Sequence, residues 1–358
     1  MPIKLITLTP LEPYFLGGER IFDIGSNDEN KHYFIKSMTT PSQTTLFGTL
    51  RFLGIKNPSP IKKLEDIDKK NIGKSSYRLT LPPQTECEKF HLIHGISPLY
   101  IVDECTNFYI RTPFDHKDDS HEYSPMKIDC TPRLTDKGER LFPEKNEFNP
   151  KSGMTDTWMK LDGSLVKSND DLFKSVVKTV INKNRSEKAF AKKEYKILEK
   201  GYSFAFFADV DEKYYLADKV VYLGQGKSAF QAIIKPVCDG MQGEIESSIE
   251  KILRKGMVYA QSDIYCKEDA CCKKDLCTMC KFAMMDTRDF RVFVTNYNAG
   301  NTENQYSKNQ YTKGHENIKL IRAGSVFIPN NIDCFKKKIK EDHANIAGFN
   351  KIITGGKE

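Results

Sequence analysis

The feature that most limits the fold of this chain is a β-rich pattern that occurs twice and ends each time in a glycine-rich segment. In the first half, "GYSFAFFADV" and "VVYLGQGKSAFQAII" are runs of aromatic and β-branched residues that contain the glycines at 224 and 226. In the second half, "RDFRVFVTNY" and "IKLIRAGSVFIP" precede the closing "IAGFNKIITGG". Such residues favour strands, and glycine marks the turns between them. With two helical patterns alongside, the sequence predicts an α+β fold.

The pattern restarts after Pro236, so we predict two modules, 1–235 and 236–358. The first contains a stretch from about 56 to 154 that is rich in Pro, Lys, Asp and Glu, and we expect it to be an insertion outside the regular core. The second contains a cysteine-rich loop at 266–280. The length of 358 residues suits two domains with separate cores.

The stretch "TTPSQTTLFGTLRFLGI" predicts the first helix. Thr40 is a suitable N-cap, Pro41 suits the first helical position, and Gln43 completes a capping box. Three leucines then recur at i, i+4 and i+7 and predict one buried stripe. These are Leu46, Leu50 and Leu53.

A second face of this helix carries Thr44, Gly48 and Arg51. Glycine inside a helix costs about 1 kcal/mol relative to alanine, so its presence needs a reason. Either a ligand lies close to this small, hydroxylated face, or Gly48 admits another strand of the same core. The residues alone leave both interpretations open.

Positive charge is concentrated in one segment of the chain. The net charge is +7, from 55 Lys and Arg against 48 Asp and Glu. Between 173 and 200 there are nine Lys and Arg against three Glu, a surplus of six. The segment opens with "DDLFKSVVKTVI", which we interpret as helical, and continues into a lysine-rich stretch. Such a strip is typical of a surface that binds a polyanion, although a solvated helix and hairpin would look the same.

Glycine occurs five times beside hydroxyl, amide or cationic residues. Glycine lets backbone N–H groups approach a phosphate closely, and a helix N-terminus adds a positive dipole end. In a basic chain, five such segments indicate a surface that reads a nucleic-acid backbone. They are Gly17–Arg20, Ser42–Arg51, Gly224–Ser228, Arg322–Ser325 and Gly348–Asn350 with Gly355–Gly356.

Five of the ten cysteines lie within fifteen residues. Clustered cysteines in a cytosolic chain favour a metal over disulfides, and the final C-x-x-C has zinc-knuckle spacing. We therefore predict a structural zinc ion held by four of the five thiolates. The alternative is a reduced cysteine-rich loop without metal. The candidate ligands are Cys266, Cys271, Cys272, Cys277 and Cys280.

The stronger catalytic motifs do not occur in the sequence: it has no P-loop, no H-E-x-x-H and no G-x-S-x-G. His315 beside Lys313 and Tyr311 is the one local grouping that could serve a metal-independent ribonuclease. We therefore expect a protein that is not an enzyme. The opening "MPIKLITLTP" does not resemble a signal peptide, and no apolar run approaches the roughly 18 residues of a membrane span. A cytoplasmic protein without a membrane partner is the expectation.

Seven segments carry a resemblance to a known family, and they follow in the family's order. They are "LTPLEPYFLGGERIF", "TPSQTTLFGTLR", "NRSEKAFAKKE", "GYSFAFFADV", "VYLGQGKSAFQ", "IRAGSVFIP" and "AGFNKIITGG". The chain resembles the subunit-three family of the type III-B CRISPR effector (Cmr complex), within the RAMP superfamily. The match reaches both ends of the chain, whereas the insertion and the cysteine-rich loop align poorly. Gln225 and Gly226 stand where the family usually has a second glycine and an acid.

The resemblance implies two ferredoxin-like (RRM-like) modules with long insertions and no catalysis. It implies a subunit of an antiviral ribonucleoprotein that binds the repeat-derived 5′ handle of the CRISPR RNA. The same subunit would join the large polymerase-like signalling subunit to the RAMP backbone subunit of the effector filament. Under this hypothesis RNA, or a glycine-rich loop that holds RNA, lies against the Gly48 face of the first helix.

The resemblance also implies roles for individual residues. Phosphate contacts would come from Arg20, Arg51, Arg185, Lys227 and Arg322. Backbone donors or close approach would come from Gly17, Gly18, Gly48, Gly224, Gly226 and Gly324. Hydroxyl contacts would come from Ser42, Thr44 and Ser325. Tyr222 and Phe349 are candidates for base stacking. Two alternatives stay open: a CRISPR RNA-processing endoribonuclease that uses His315, and a structural adaptor with a zinc loop.

Overall fold

The computed structural model of the chain describes fourteen segments. They are residues 3–17, 20–22, 33–56, 71–72, 90–119, 122–136, 138–145, 156–182, 189–224, 227–238, 240–265, 275–295, 313–340 and 342–356. Within these segments the protein is a sheet-rich α+β fold with few helices. None of the helices in these segments is long and apolar enough to span a membrane.

Twenty-three strands and five named helices make up the described structure. The strands of the first part are β1 (Ile3–Pro10), β2 (Arg20–Phe22), β3 (Tyr33–Lys36), β4 (Ile93–Ile96), β5 (Tyr100–Asp103), β6 (Phe108–Arg111), β7 (His116–Asp119), β8 (Glu122–Pro125), β9 (Ile128–Thr135), β10 (Gly138–Pro143), β11 (Thr157–Lys160) and β12 (Val166–Ser168). Those of the second part are β13 (Phe173–Asn182), β14 (Ala189–Leu198), β15 (Tyr202–Val210), β16 (Lys219–Leu223), β17 (Ser228–Pro236), β18 (Val258–Ala260), β19 (Cys280–Met284), β20 (Thr287–Thr295), β21 (Lys313–Ile321), β22 (Val326–Pro329) and β23 (Ile352–Thr354). The helices are α1 (Gln43–Leu53), α2 (Asn169–Leu172), α3 (Met241–Ile252), α4 (Ile332–Lys338) and α5 (Asp342–Ile346), and residues 275–279 are also helical.

A nine-stranded sheet forms the centre of the fold. Its strand order is β12-β11-β6-β5-β15-β1-β17-β16, and β4 also pairs with β15. The central strand β1 pairs antiparallel with both β15 and β17. Because side chains alternate along a strand, β1 contributes to two cores. Ile6 and Leu8 enter one core, and Leu5 enters another on the opposite face of the sheet.

Helix α1 covers the first face of this sheet. Its N-cap is Ser42, whose hydroxyl accepts a hydrogen bond from the Thr45 backbone N–H, so the prediction of Thr40 as N-cap was wrong by two residues. A serine side chain satisfies an otherwise unpaired N–H of the first turn as well as a threonine does, and the chain uses the later residue. The predicted leucine stripe is confirmed: all three leucines are fully buried.

The opposite face of the central sheet packs against α3 and a four-stranded sheet. Ile245 and Ile249 of α3 share a core with Leu5 and Phe207 of the central sheet. The second sheet has the order β19-β22-β18-β23, with all neighbours antiparallel. Helix α4 packs on its far side through Phe335. The layers are therefore α1, the central sheet, the second sheet with α3 beside it, and α4.

The segment expected to begin as a helix at 171 is instead a long hairpin, β13–β14, preceded by the single helical turn α2. Val176, Val177, Thr179 and Val180 supply the reason, because β-branched side chains lose rotamer freedom in a helix and pack well on a pleated sheet. The hairpin pairs with β3 and forms another four-stranded sheet, of order β13-β14-β3-β2, which we call the hairpin sheet.

The stretch 56–154 differs in part from the insertion that the sequence predicts. Strands β4, β5 and β6 lie inside it, yet they join the central sheet. Tyr100, Ile101 and Tyr109 are almost completely buried there. Only the hairpins β7–β8 and β9–β10 pair outside that sheet. Strand pairing across long sequence distances leaves no local sequence pattern. The short strands with lysine-rich connections were therefore interpreted as an insertion.

Candidate nucleic-acid interface

Two of the predicted glycine segments pack against each other. The Phe15 backbone N–H donates to the Ser228 hydroxyl at 2.9 Å, and the Lys227 N–H donates to the Gly224 carbonyl at 3.2 Å. Gly224 has a φ of +71°, and a Cβ there would overlap the Phe15 carbonyl oxygen. Glycine is therefore required at 224 both for backbone conformation and for close approach. Gly17 also has a positive φ of +72°, but the space around it is open.

Beside this contact lies a basic and aromatic face of the β13–β14 hairpin, which we name the hairpin surface: Lys174, Lys178, Lys193 and Tyr195. Lys178 lies directly opposite Lys193 across the strand pair. The Lys178 Nζ lies 4.9 Å from the centre of the Tyr195 ring. Lys174 is paired with Glu199 at 2.7 Å, whereas no ion pair is recorded for the other two lysines among the described residues. Proteins bind single-stranded nucleic acid with cations that contact the phosphates and aromatic rings that stack on the bases. The hairpin surface carries both kinds of side chain.

The opposite face of this hairpin holds its own acid. Glu194 accepts from Lys196 and from the Ser175 hydroxyl. Burial alone would raise the pKa of Glu194, but these hydrogen bonds together outweigh it and hold the pKa below its usual value. Glu194 is therefore ionised and neutralised on its own side, and it does not compensate the lysines of the hairpin surface.

The segment 37–43 connects the hairpin sheet to the start of α1. The Ser37 backbone N–H donates to the Glu194 carbonyl of β14 at 3.1 Å. The Tyr14 hydroxyl donates to the Thr39 carbonyl at 2.6 Å. Ser42 then caps α1. At about 3.5 Å per residue, the six peptide links from Ser37 to Gln43 span at most roughly 20 Å.

At the far end of this segment lies a cleft, which we name the arginine cleft. Three guanidinium groups converge there, from Arg111 at the end of β6, Arg288 on β20 and Arg322 after β21. The N-terminal turn of α1 forms one wall through Thr40 and Gln43. The partial positive charge of a helix N-terminus adds to that of the arginines. The cleft therefore brings together residues from both halves of the chain.

The arginines are held in place by carboxylates and by a tryptophan. Asp156 accepts from Arg111 and also lies 3.3 Å from Arg322, which pairs with Asp286 at 2.7 Å. Arg288 pairs with Asp263. The Arg111 guanidinium lies 4.3 Å from the centre of the Trp158 ring. This cation–π contact fixes the plane of the guanidinium group.

The pKa shifts of two arginines reflect this crowding of charge. Burial lowers the pKa of Arg111, the charge of Asp156 opposes that shift, and the charges of Arg322 and Arg288 add to it. Burial also acts to lower the pKa of Arg322, but the hydrogen bond with Asp286 and the nearby carboxylates outweigh it and raise the pKa. Both side chains remain cations, and the charges of Arg322 and Arg288 lie close enough to Arg111 to lower its pKa.

Two buried polar atoms of the cleft lack a hydrogen-bond partner among the described residues: Gln43 Oε1 and Arg288 Nε. The Gln43 side chain is buried, with 6% of the residue exposed. Buried polar atoms are almost always hydrogen-bonded in folded proteins, so these two mark a place where a ligand can bind.

The Gly48 face of α1 lies apart from the arginine cleft. Arg51 is nine residues beyond Ser42, or about 13 Å along the helix axis. Its Nε donates to the Ile72 carbonyl at 3.0 Å, and burial lowers its pKa. Gly48 is exposed, and no heavy atom of the described residues lies within 4 Å of a Cβ placed there. The interpretation that Gly48 admits a core strand is therefore wrong for the part of the chain that is described, and the face is open.

The remaining predicted residues fall into three groups. Gly324 and Ser325 adjoin the cleft but serve packing: a Cβ on Gly324 would lie 2.8 Å from the Phe114 ring, and the buried Ser325 hydroxyl donates to the Arg322 carbonyl at 2.7 Å. Tyr222 is 64% exposed on the edge strand β16, whereas Phe349 is fully buried. Outside the described residues lie Gly18, Arg185, Gly226, the side chains of Arg20 and His315, and Tyr311.

Only two of the predicted zinc ligands fall within the described residues. Cys277 lies in the middle of the helical residues 275–279, and Cys280 is buried at the start of β19. Burial raises the pKa of the Cys280 thiol to about 12, and the neighbouring Cys277 adds to this. Cys266, Cys271 and Cys272 lie outside the described residues. Among the residues that are described, no group of three or more metal-ligating side chains occurs.

Sequence reasoning missed Arg111, Arg288, Asp156 and Trp158. None of them carries a local motif, because each comes from a different strand or strand end and only the sheet topology brings them together. The one weak signal was that Trp158, the sole tryptophan of the chain, follows two residues after an acid. Arg322 was predicted, and the structure places it in the cleft.

Comparison with known proteins bears on the fold. No protein-family model matches the chain, and no curated protein matches it by sequence. Among solved structures, a chain of the type III-B Cmr-beta complex bound to cognate target RNA is similar at a TM-score of 0.51 and 14% identity, over 98% of this chain and 96% of that chain. A chain of the Csm3–Csm4 subcomplex of the type III-A CRISPR–Cas interference complex aligns at a TM-score of 0.39 and 11% identity, over 92% and 93% of the two chains. At these identities the likeness to the Cmr-beta chain shows a shared fold along nearly the whole length.

Proposed function

We propose that this chain is a non-catalytic, RNA-binding subunit of a type III CRISPR effector complex. The observation that carries the proposal is the shared fold with a chain of the RNA-bound Cmr-beta complex, together with the arginine cleft. The RNA in question is the CRISPR RNA, and the part it binds is the repeat-derived 5′ handle. The subunit-three family of the type III-B complex is the specific assignment, and it rests on the resemblance of the seven sequence segments.

The binding surface runs from the hairpin surface to the arginine cleft. Lys178 and Lys193 supply cations at one end, and Arg322 with the N-terminus of α1 supplies them at the other. The segment 37–43 links the two by direct hydrogen bonds. A single strand that follows this path would place its phosphates on these cations. Most protein contacts to nucleic acid are to the backbone, and base edges supply the specificity.

The proposal includes two ferredoxin-like modules. Strand order supports the second of them: β18, β19, β22 and β23 are its first to fourth strands, and their spatial order is fourth, first, third, second. Helical residues at 275–279 and α4 occupy the two crossover positions. This arrangement agrees with the β-α-β-β-α-β order expected of such a module and supports the proposal. The partners proposed with it are the large signalling subunit and the RAMP backbone subunit, in the cytoplasm.

A structural zinc ion is part of the same proposal. Cys277 and Cys280 would provide two thiolates, and the other two would come from Cys266, Cys271 and Cys272. A buried thiol such as Cys280 ionises at neutral pH only when a cation compensates the charge, and a zinc ion does this. The ion would fix the loop beside β19 rather than take part in chemistry.

The experiment is RNA binding by the purified full chain across a salt series, without divalent metal. One strand carries the cognate 5′ handle and a second carries the same nucleotides scrambled. The proposal expects tighter binding of the handle, strong salt dependence and RNA that stays intact.

Each contrary outcome points to a different function. Cleavage of the RNA would contradict a non-catalytic role and make the endoribonuclease alternative the better account, with His315 as the first residue to replace. Binding to neither strand, with retained binding to the signalling subunit, would contradict RNA recognition by this chain and favour the structural adaptor.

A further inference from the structure

Positive charge in the arginine cleft is balanced in the free protein. Three carboxylates face the three guanidinium groups at ion-pair distance, so the described part of the cleft has no surplus charge. These are Asp156, Asp263 and Asp286. A phosphate that entered the cleft would therefore meet a neutral network, and one carboxylate would have to move aside for an arginine to become available.

Two of these carboxylates are anchored to the backbone. Asp263 accepts from the Ala323 N–H at 2.9 Å, and its side chain is only 8% exposed. Asp286 accepts from the N–H of the next residue at 2.7 Å, and its own carbonyl accepts from the Arg322 N–H at 2.9 Å. Both acids are thus part of the local backbone structure, and neither can leave without loss of those hydrogen bonds.

Asp156 is held differently. Within the part of the chain that the structure describes, its partners are side chains only: Arg111, Arg322 at 3.3 Å and the Asn169 amide at 2.5 Å. Its carboxylate is 42% exposed, and it lies just before β11, at the end of a described segment. Of the three acids it is the one whose side chain can rotate away without breaking a backbone hydrogen bond.

We infer that Asp156 occupies the position of an RNA phosphate and acts as an internal competitor for the arginine cleft. A phosphodiester oxygen can accept from both Arg111 and Arg322, as the carboxylate does, and it carries the same unit charge. The exchange therefore keeps the buried Arg111 neutralised. Trp158 holds the Arg111 guanidinium in place while the anion changes. This inference rests on the proposed RNA-binding function and adds a specificity device to it.

The consequence is selectivity against weak ligands. A strand with only a few phosphate contacts cannot displace Asp156, whereas a strand already bound along the hairpin surface can. Removal of the competing charge should therefore increase the affinity for any RNA and reduce the preference for the handle. The same substitution should not change the ionic contacts of the hairpin surface, because that surface lies at the other end of segment 37–43.

The test compares three substitutions in the full chain. Asp156→Asn removes the charge and keeps the shape, Asp156→Glu keeps the charge, and Asp286→Asn is the matched control because it removes one equal charge from an anchored acid. Thermal unfolding of each variant checks the fold, since Arg111 loses a charged partner in the first. Handle RNA and scrambled RNA are then titrated, with inorganic phosphate as a separate competitor.

The expected result for Asp156→Asn is at least about fivefold tighter binding of the scrambled strand, the effect of roughly one unit charge near a surface. Its preference for the handle should shrink, while Asp156→Glu behaves like the wild type. Equal gains in Asp156→Asn and Asp286→Asn would overturn the inference, because a general charge effect would explain them. Unchanged binding in a folded Asp156→Asn variant would overturn it as well.

Two further outcomes separate this inference from the proposed function. If the wild-type protein binds RNA and Asp156→Asn binds it no more tightly, only the role of Asp156 is contradicted. Absence of RNA binding by every variant removes the proposed function and the inference together. Tighter binding of inorganic phosphate alone by Asp156→Asn, without RNA binding, would contradict RNA as the source of the phosphate.

Discussion

The Phe15 backbone N–H and the Ser228 hydroxyl are 213 residues apart in sequence and form a 2.9 Å hydrogen bond. This bond fastens the segment before the first glycine turn to the loop after β16. It also holds Phe15 beneath the hairpin surface, where the Phe15 and Tyr195 ring centres lie 5.6 Å apart. The geometry of the predicted RNA surface thus depends on how closely these two loops approach, and Gly224 sets that approach.

Replacing Gly224 with alanine tests this dependence. Its Cβ would overlap the Phe15 carbonyl oxygen and would lie 3.0 Å from the Leu16 Cα, in a backbone conformation that L-residues avoid. We expect a loss of unfolding free energy of about 2 kcal/mol or more. Chemical denaturation measures it, with Gly17→Ala as the control, because that position has a similar φ but open space. Equal losses for the two variants would show that the contact with Phe15 contributes nothing.

Gly48 should respond in the opposite way. Because no described residue lies within 4 Å of a Cβ placed there and the position is inside α1, alanine adds helix propensity without a clash against them. We expect Gly48→Ala to stabilise the isolated chain by up to about 1 kcal/mol. The same denaturation experiment measures this, and a destabilised variant would mean that something not yet described packs on this face. If the face also receives RNA or a partner, the stabilised variant will bind it more weakly.

Arg322 should carry a phosphate contact. Arg322→Ala is expected to weaken handle binding and to reduce the slope of log K against log salt by about 0.7, the value for one phosphate contact on a single strand. Arg322→Lys is the control, since it keeps the charge but loses the two-pronged geometry. A slope that is unchanged in folded Arg322→Ala would remove this residue from the RNA surface.

The turn between β11 and β12 makes a prediction about pH. Hydrogen bonds from Ser164 lower the pKa of Asp162 to about 2, despite a small opposing effect of burial. An acid whose pKa is lower when folded stabilises the fold above its unfolded pKa of about 3.9 and loses that contribution as the pH falls towards 2. Ser164→Ala should therefore lower the melting temperature at neutral pH, and the difference from wild type should shrink below about pH 4. A difference independent of pH would contradict the assignment.

Zinc makes a separate prediction that is independent of RNA. Purified protein is expected to contain one equivalent of zinc per chain, measured by elemental analysis, and Cys277→Ser or Cys280→Ser should reduce it. Cys334→Ser is the control, because Cys334 is exposed on α4 and is not one of the five clustered cysteines. Full zinc content in both loop variants would show that these two cysteines are not ligands.

Much of the fold could be predicted because its signals are local. The α1 leucine stripe follows from spacing within eight residues, and it was found where it was expected. The helix expected from "DDLFKSVVKTVI" is instead mainly a strand, because the β-branched Val176 and Val177 favour a pleated sheet. The membership of β5 and β6 in the central sheet could not be predicted, since it depends on pairing with β15 about a hundred residues away.

The site could be predicted only in part for the same reason. Ser42 and Arg322 stand in glycine-containing segments that sequence reasoning could single out. Arg111 lies in the stretch interpreted as an insertion and Asp156 just after it, and the β6–β11 pairing brings them beside Arg322. A cleft assembled from strand ends has no motif, so its residues become visible only when the topology is known.

The measurement that tests the central claim most directly is the site of contact between RNA and protein. Handle RNA carrying photoreactive uridines is crosslinked to the full chain, and the crosslinked residues are identified by mass spectrometry. The account predicts crosslinks on the hairpin surface, around Lys193 and Tyr195, and at the arginine cleft, around Gln43 and Arg322. Crosslinks confined to other surfaces, such as the β9–β10 hairpin, would contradict it.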